Sequence, residues 1–136
     1  MATEITEGGQ ASLDAGERVK DTDRPLDKKF TDDFIDHDPA DGQPEGGAGH
    51  AWFQEQFSMS FSDVDATVLE TIATPTKLVT IGDLSGTHTG TFMGHAPTGK
   101  RFTVRNIQVL DVRDGKASAR WGSTDVLGIL EQLGLI

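Results

Sequence analysis

The chain has 136 residues, with 12 basic and 22 acidic side chains, a formal net charge of −10 and no cysteine. That length suits one domain with a real core, and the missing thiols remove disulfides and thiolate metal sites. The acidity argues against nucleic acid as a partner, because phosphate binding needs a basic surface.

No apolar run reaches the roughly 18 residues of a membrane-spanning helix. Met1–Glu4 lacks the basic and apolar regions of a signal peptide, so a cytoplasmic location is expected. The acid is unevenly spread: residues 1–50 carry 13 acidic and 5 basic side chains. A solvated face or a loosely held N-terminal segment accounts for that asymmetry.

Residues 1–22 are poor in apolar groups, and Gly8, Gly9 and Gly16 weaken any helix. A weakly structured arm, or a short helix around Leu13–Lys20, is expected there, followed by a single domain over 23–136. Asp23 then offers a helix cap with Pro25 in the first turn. Leu26, Phe30 and Phe34 fall at i, i+4 and i+8, which predicts one helical face, and Pro39 ends that helix after Phe34–Asp38.

After a Gly- and Pro-rich turn, a second helix is predicted over Ala48–Phe61. Trp52, Gln56 and Met59 lie near one stripe, beside Phe53, Phe57 and Phe61. Four strand-like runs follow: Ala66–Ala73, Leu78–Thr89, Lys100–Val112 and Lys116–Thr124. Pro75 marks the first turn and Asp114-Gly115 a hairpin. Gly90–Gly99 is a loop carrying Phe92, Met93 and His95, and Gly94–Lys100 is a candidate mobile cover for a pocket. A last apolar helix runs from Val126 to Leu133. Helices first and a meander of long strands afterwards predict an α+β domain, with helices on one face of a curved sheet.

Chemistry-bearing residues concentrate near the C-terminus. If the last strand reaches Asp125, then Trp121, Ser123 and Asp125 share a face, and a carboxylate beside an indole is a candidate acid–base group. Asp125 also stands where a helix cap would, and capping lowers an aspartate pKa whereas apolar burial raises it. His88 shares a strand face with Gly82, Leu84 and Gly86. Asn106 and Gln108 alternate with Arg105, Ile107 and Val109, and periodicity does not choose between the two faces. Four histidines without a short ligand spacing give no reason to expect a metal, and no Gly-rich phosphate loop precedes a helix.

Several blocks together resemble the SnoaL-like polyketide cyclases, within the nuclear-transport-factor-2-like superfamily. They are Phe34-Ile35-Asp36-His37-Asp38-Pro39, Gly86–Gly94 (GTHTGTFMG), Pro97-Thr98-Gly99-Lys100-Arg101, Asp114-Gly115-Lys116, and Trp121-Gly122 with Asp125, Leu127-Gly128, Leu130 and Gln132-Leu133-Gly134. The match covers roughly Asp23 to Gly134. It implies a cone-shaped α+β barrel whose mostly antiparallel sheet wraps around N-terminal helices and encloses an apolar pocket. Homodimers through the outer sheet face are common in this family.

The resemblance further implies cofactor-free ring closure of a hydrophobic polyketide-derived intermediate. Asp125 falls at the family's acid/base position, and His88 becomes a pocket residue. Asn106 and Gln108 are placed inside, and His37 at the cone's mouth. Trp121, Trp52, Phe34, Phe57 and Met93 are core residues, some of which would line the pocket. Gly82 stands where relatives usually carry a large side chain, and Leu110 and Ala119 where a polar interior group would be unsurprising. Together these imply a roomier, more apolar pocket. The alternatives are a non-catalytic module binding a hydrophobic molecule, or an isomerase or epoxide hydrolase of the same superfamily.

Overall fold

A computed structural model describes residues 2–136. Met1, the first residue of the expected N-terminal arm, lies outside the described residues. The elements are β1 (Ala2–Ile5), α1 (Gly9–Lys20), a 3-10 turn (Leu26–Lys28), β2 (Phe30–Asp36), α2 (Gly47–Ser60), β3 (Phe61–Ala73), β4 (Lys77–His88), β5 (Arg101–Arg113), β6 (Lys116–Thr124) and α3 (Val126–Gln132). The fold is α+β, a cone-shaped barrel in which a curved six-stranded sheet in the order β1-β3-β4-β5-β6-β2 carries the helices on its inner face.

The four long strands β3 to β6 pair antiparallel with their sequence neighbours. The Asp114-Gly115 hairpin has φ of 53° and 74°, the left-handed pair that a two-residue turn demands. Turn chemistry closes β3 to β4 as well, where the Lys77 backbone N–H donates to Thr74 Oγ1. The two short strands add in parallel at the edges, β1 beside β3 and β2 beside β6.

The helix expected over the Leu26, Phe30, Phe34 stripe is instead a 3-10 turn and then strand β2. Residues four apart share a face in a strand as well as in a helix. The stripe therefore marked a buried face without fixing the period. Pairing with Ala117, Ala119 and Arg120 of β6 chose the strand. In the N-terminal segment, α1 runs to 12 residues, where a short helix or loose arm was expected. Val19 and Ala15 are buried, and Gly16 lets the helix approach the sheet so closely that a Cβ there would stand 2.2 Å from Leu78 Cδ2.

Two apolar clusters occupy the inside of the cone. At one end Phe61, Phe102, Val104, Ile129 and Leu133 pack together, with Phe57, Leu84, Phe92 and Leu135 against them. At the other end Val19, Phe30, Phe34 and Ala117 pack with Leu110. Helix α3 is held by packing and by Gln132, whose amide accepts from the Thr103 backbone N–H at 2.8 Å and donates to the Thr103 carbonyl at 3.0 Å. That amide covers β5 just before its pairing with β6 begins at Asn106.

Gly82 has a different role from the one its size suggests. A Cβ built there lies 2.2 Å from the Thr67 carbonyl oxygen, where β3 slips register between Val68 and Glu70. The missing side chain admits a neighbouring backbone and leaves no room in a pocket. Gly82→Ala is expected to lower unfolding free energy by about 1–3 kcal/mol, as overpacking does, measured by urea denaturation at constant m-value. An unchanged midpoint would show that the bulge relaxes freely.

Candidate active site

Antiparallel partners in register project to the same side of a sheet. Leu78 of β4 meets α1, so the even-numbered residues of β4 face inward, and with them their β5 partners Leu110, Gln108, Asn106, Val104 and Phe102. Register then places Arg120, Gly122 and Thr124 of β6 on the inner face, opposite Leu110, Gln108 and Asn106. These half-buried polar groups form a belt between the two apolar clusters.

One residue sets the polarity of the belt. Arginine is only a donor, and Arg120 donates from Nη1 to both Asp36 carboxylate oxygens, at 2.9 and 3.2 Å, and from Nε to Gln108 Oε1 at 2.8 Å. Gln108 must therefore present its oxygen to Arg120, and its NH2 donates to Asn106 Oδ1 at 2.8 Å. The Thr124 hydroxyl donates to the same Asn106 oxygen at 2.8 Å. With that oxygen doubly occupied, the Asn106 NH2 is left as the terminal donor of the chain. Gly122 makes the arrangement possible, since a Cβ there would stand 2.3 Å from Arg120 Nη2 and 2.7 Å from Gln108 Oε1.

The Asp36 end is equally well held. Its carboxylate also accepts from Gln43 Nε2 at 3.0 Å and from the Asp38 backbone N–H at 3.0 Å. Burial pushes its pKa up, but the Gln43 amide, the Asp38 N–H and the Arg120 guanidinium together outweigh that, and it lies below the ordinary value. His50, near the start of α2, stacks at a tilt on Phe30 with ring centroids 5.5 Å apart. Burial, then the Arg120 cation, lower its pKa to about 4; Lys29 adds to the effect and Asp36 opposes it. The imidazole is neutral at pH 7.

The predicted residues divide sharply. Asn106 and Gln108 face inward, as expected. Trp121 does not: it pairs with Val109 on the outer face, where His37 stacks on it (centroids 4.3 Å apart, planes 5° apart) and Lys77 Nζ lies 5.3 Å from its ring. His37 is thus an exposed residue of the outer face. Ala119 pairs with Asp111 on that side too, while Leu110 belongs to the core.

Asp125 lies beyond the end of β6 and caps α3, accepting from the Gly128 N–H at 2.9 Å, with its side chain in solvent. The alternation of Trp121 and Ser123 against Arg120, Gly122 and Thr124 is as expected, but its inward face is the opposite one. The chain leaves the sheet before Asp125, so that carboxylate cannot fix the face.

His88 is fully buried, and its Nδ1 accepts from the Thr98 backbone N–H at 3.1 Å with Thr98 Oγ1 at 3.0 Å. The ring proton therefore sits on Nε2, which meets no partner and points among aromatic neighbours, with Phe61 at 5.7 Å and Phe92 at 6.5 Å between centroids. His88 secures the 90–99 loop. That loop is tied at its start as well, by Ser60, whose carbonyl accepts from Thr89 and Gly90 and whose hydroxyl donates to the Thr91 carbonyl. Its tip exposes Met93, at 64% and with a φ of 48°. Phe34 is buried in one cluster, Phe57 half-covers the other, and Trp52 of α2 is half-buried with its ring near Gly42.

Arg120, Asp36 and His50, which anchor the belt or lie beside it, were not among the candidate residues read from the sequence. Asp36 was read on a helix, away from β6, so its partnership with Arg120 had no visible register. The available signal was a strand alternating Arg120, Gly122 and Thr124, a large cation beside a residue with no side chain.

The model of the SnoaL-like polyketide cyclase family matches residues 18–133. No curated protein matches the chain. Among solved structures, a proposed polyketide cyclase from Bacillus cereus ATCC 10987 is 22% identical with a TM-score of 0.81, covering 99% of this chain and 91% of that one. A proposed SnoaL-like polyketide cyclase from Jannaschia sp. CCS1 is 16% identical at a TM-score of 0.81, covering 98% of each chain. IdmH from Streptomyces antibioticus, also a proposed polyketide cyclase, is 26% identical at a TM-score of 0.70, covering 95% and 99%. Among the described residues no helix is long and apolar enough to cross a membrane.

Proposed function

Because the chain belongs to the SnoaL-like polyketide cyclase family, we propose that it closes a ring in a polyketide-derived intermediate, without a cofactor, over the polar belt. The observation that carries this reading is the directed chain Asp36–Arg120–Gln108–Asn106, which ends in amide N–H donors on the inner face. A carbonyl oxygen of the substrate accepts from the Asn106 NH2, and the bond strengthens as the oxygen gains enolate charge. Apolar groups on either side, Leu84 and Leu110 among them, fold the substrate so that the reacting carbons meet.

Asp125 stands one residue beyond Thr124 at the rim of the belt, its Oδ1 committed to the Gly128 N–H. Its Oδ2 is our candidate acceptor for the acidic C–H proton. His88 acts behind the site, fixing the loop. The same reading includes a cytoplasmic homodimer through the outer sheet face, where Ile72, Val79, Val109 and Trp121 form an apolar row across four strands.

Two substitutions separate Asp125's roles. Asparagine caps a helix as well as aspartate does, so Asp125→Asn removes the base and keeps the cap. A linear 1,3-dicarbonyl compound carrying an internal electrophile serves as substrate, with cyclic product read by mass spectrometry. Asp125→Asn is expected to cut turnover at least about a hundredfold with an unchanged melting temperature. Asp125→Ala should also cost about 1 kcal/mol of stability. Full activity in Asp125→Asn would overturn its catalytic role and leave substrate folding as the means of ring closure. Saturable binding without product in the wild type would make the chain a carrier of hydrophobic molecules.

A further inference from the structure

A second cleft lies away from the belt, on the flank of the cone between the segment before β2 and the outer side of α2. It is an open groove of about 510 Å³, lined by Thr22, Arg24, Pro25, Leu26, Lys29, Ala51, Gln54, Glu55 and Ser58. That volume falls in the range of small-molecule sites. Of the lining residues only Lys29 is buried, at 4% exposure, so it forms the floor while the others make walls and rim.

Lys29 is in an unusual electrostatic position. The protein carries a net charge of −10, yet among the described residues no carboxylate lies within ion-pair distance of this ammonium and no acceptor bonds to it. The stem of Lys29 is buried, and its ammonium tip is left to the cleft with no protein counter-charge beside it. The other cation of the cleft, Arg24, is engaged with Asp21 at 3.6 Å, and the acid, Glu55, sits exposed on α2. The walls combine apolar surface from Pro25, Leu26 and Ala51 with the neutral hydrogen-bonding groups of Thr22, Gln54 and Ser58.

We infer that this cleft binds a small amphiphilic carboxylate, its head paired with the Lys29 ammonium at the floor and its hydrocarbon body against Pro25, Leu26 and Ala51. The missing counter-charge is supplied by the ligand, and the apolar wall selects an acid with a chain over a bare oxyanion. The site is separate from the belt: its cation is Lys29, not Arg120, and ring closure is not needed to detect it.

Octanoate, 1-octanol and inorganic phosphate, titrated calorimetrically into the wild-type protein at pH 7, test this directly. Octanoate is expected to bind one to one, and octanol and phosphate at least tenfold more weakly. Lys29→Met, which keeps the stem and removes the charge, should weaken octanoate at least tenfold with a melting temperature no lower than wild type. Lys29→Arg should stay within threefold. Ala51→Trp, filling the cleft from its exposed wall, tests the site without touching Lys29 and should also abolish binding.

Equal binding of octanol would overturn the inference in favour of a plain apolar groove, and phosphate binding as tightly as octanoate would reduce it to an oxyanion site. Octanoate affinity unchanged in both Lys29→Met and Ala51→Trp, or no octanoate binding at all, would overturn it outright. Each result is read by binding alone, so it stands apart from the fate of the cyclase reading.

Discussion

Asp36→Asn is expected to destabilise the protein by about 3–5 kcal/mol, the cost of leaving one partner of a buried ion pair uncompensated. The side chains of Arg120 and Asp36 are only 14% and 8% exposed, so water cannot take over. Asparagine keeps the shape but sets its NH2 against a donor, either Gln43 Nε2 or the Asp38 N–H, and leaves the guanidinium without its counter-charge. Arg120→Met should cost a similar amount, because Asp36 is then anionic beneath the sheet with only neutral donors. Replacing both residues together, as Asp36→Leu with Arg120→Met, should recover most of the loss, since well-packed apolar pairs substitute for buried ion pairs with little penalty. Urea midpoints at constant m-value give each energy, and the double-mutant cycle gives the coupling. A coupling below about 1 kcal/mol would place Arg120 with ordinary surface pairs. Turnover should fall further than stability explains, because without the Arg120 donor Gln108 is free to reverse its amide and Asn106 loses its fixed outward NH2.

The long antiparallel part of the fold was legible because its signals are local. Asp114-Gly115 requires positive φ, Pro75 stops a strand, and β-branched runs define β4 and β5 within a residue or two at each end. Helix α2 was equally plain from its length. The parallel edge strand β2 was not, because its partners in β6 lie more than eighty residues away along the chain. Phe30 and Phe34 mark the buried face of a helix and of a strand alike. That one ambiguity hid Asp36, and with Asp36 the reason for an arginine on the inner face.

The inward direction of Asn106 and Gln108 agrees with the resemblance, whereas Trp121 was put on the inner face by letting Asp125, one residue past the end of β6, choose that face. Gly82 shows the same limit from the other side: absence of a side chain reads as space in a sequence, but the space belongs to the Thr67 carbonyl. Burial of Lys29 has no sequence signature whatever, because it depends on how the 22–29 segment lies against α2.

Unfolding free energy should fall by about 2 kcal/mol between pH 7 and pH 5 on account of His50 alone. Its folded pKa is about 4, against 6.5 for an unperturbed imidazole, chiefly because burial disfavours the cation and because Arg120 and Lys29 repel it. The fold therefore holds the neutral ring, and between about pH 6.5 and 4 the unfolded chain binds the proton that the native state refuses. Stability thus rises with pH across that window and is lost on acidification, the sign for a histidine with a depressed pKa. Asp36 acts in a lower window: its folded pKa lies below the usual 3.8, so its contribution persists through pH 5 and disappears only as pH falls through that lower value. His50→Gln keeps a polar group beside Phe30 but cannot titrate, so the difference between its stability and that of the wild type isolates the imidazole from every carboxylate. That difference should change by about 2 kcal/mol from pH 7 to pH 5, and the His50 ring signals in a nuclear magnetic resonance titration should not move until below pH 5. Titration of that ring near 6.5, or parallel stability profiles for the two proteins, would mean that water reaches His50 and that the inner face around Arg120 is wetter than its side-chain burial indicates.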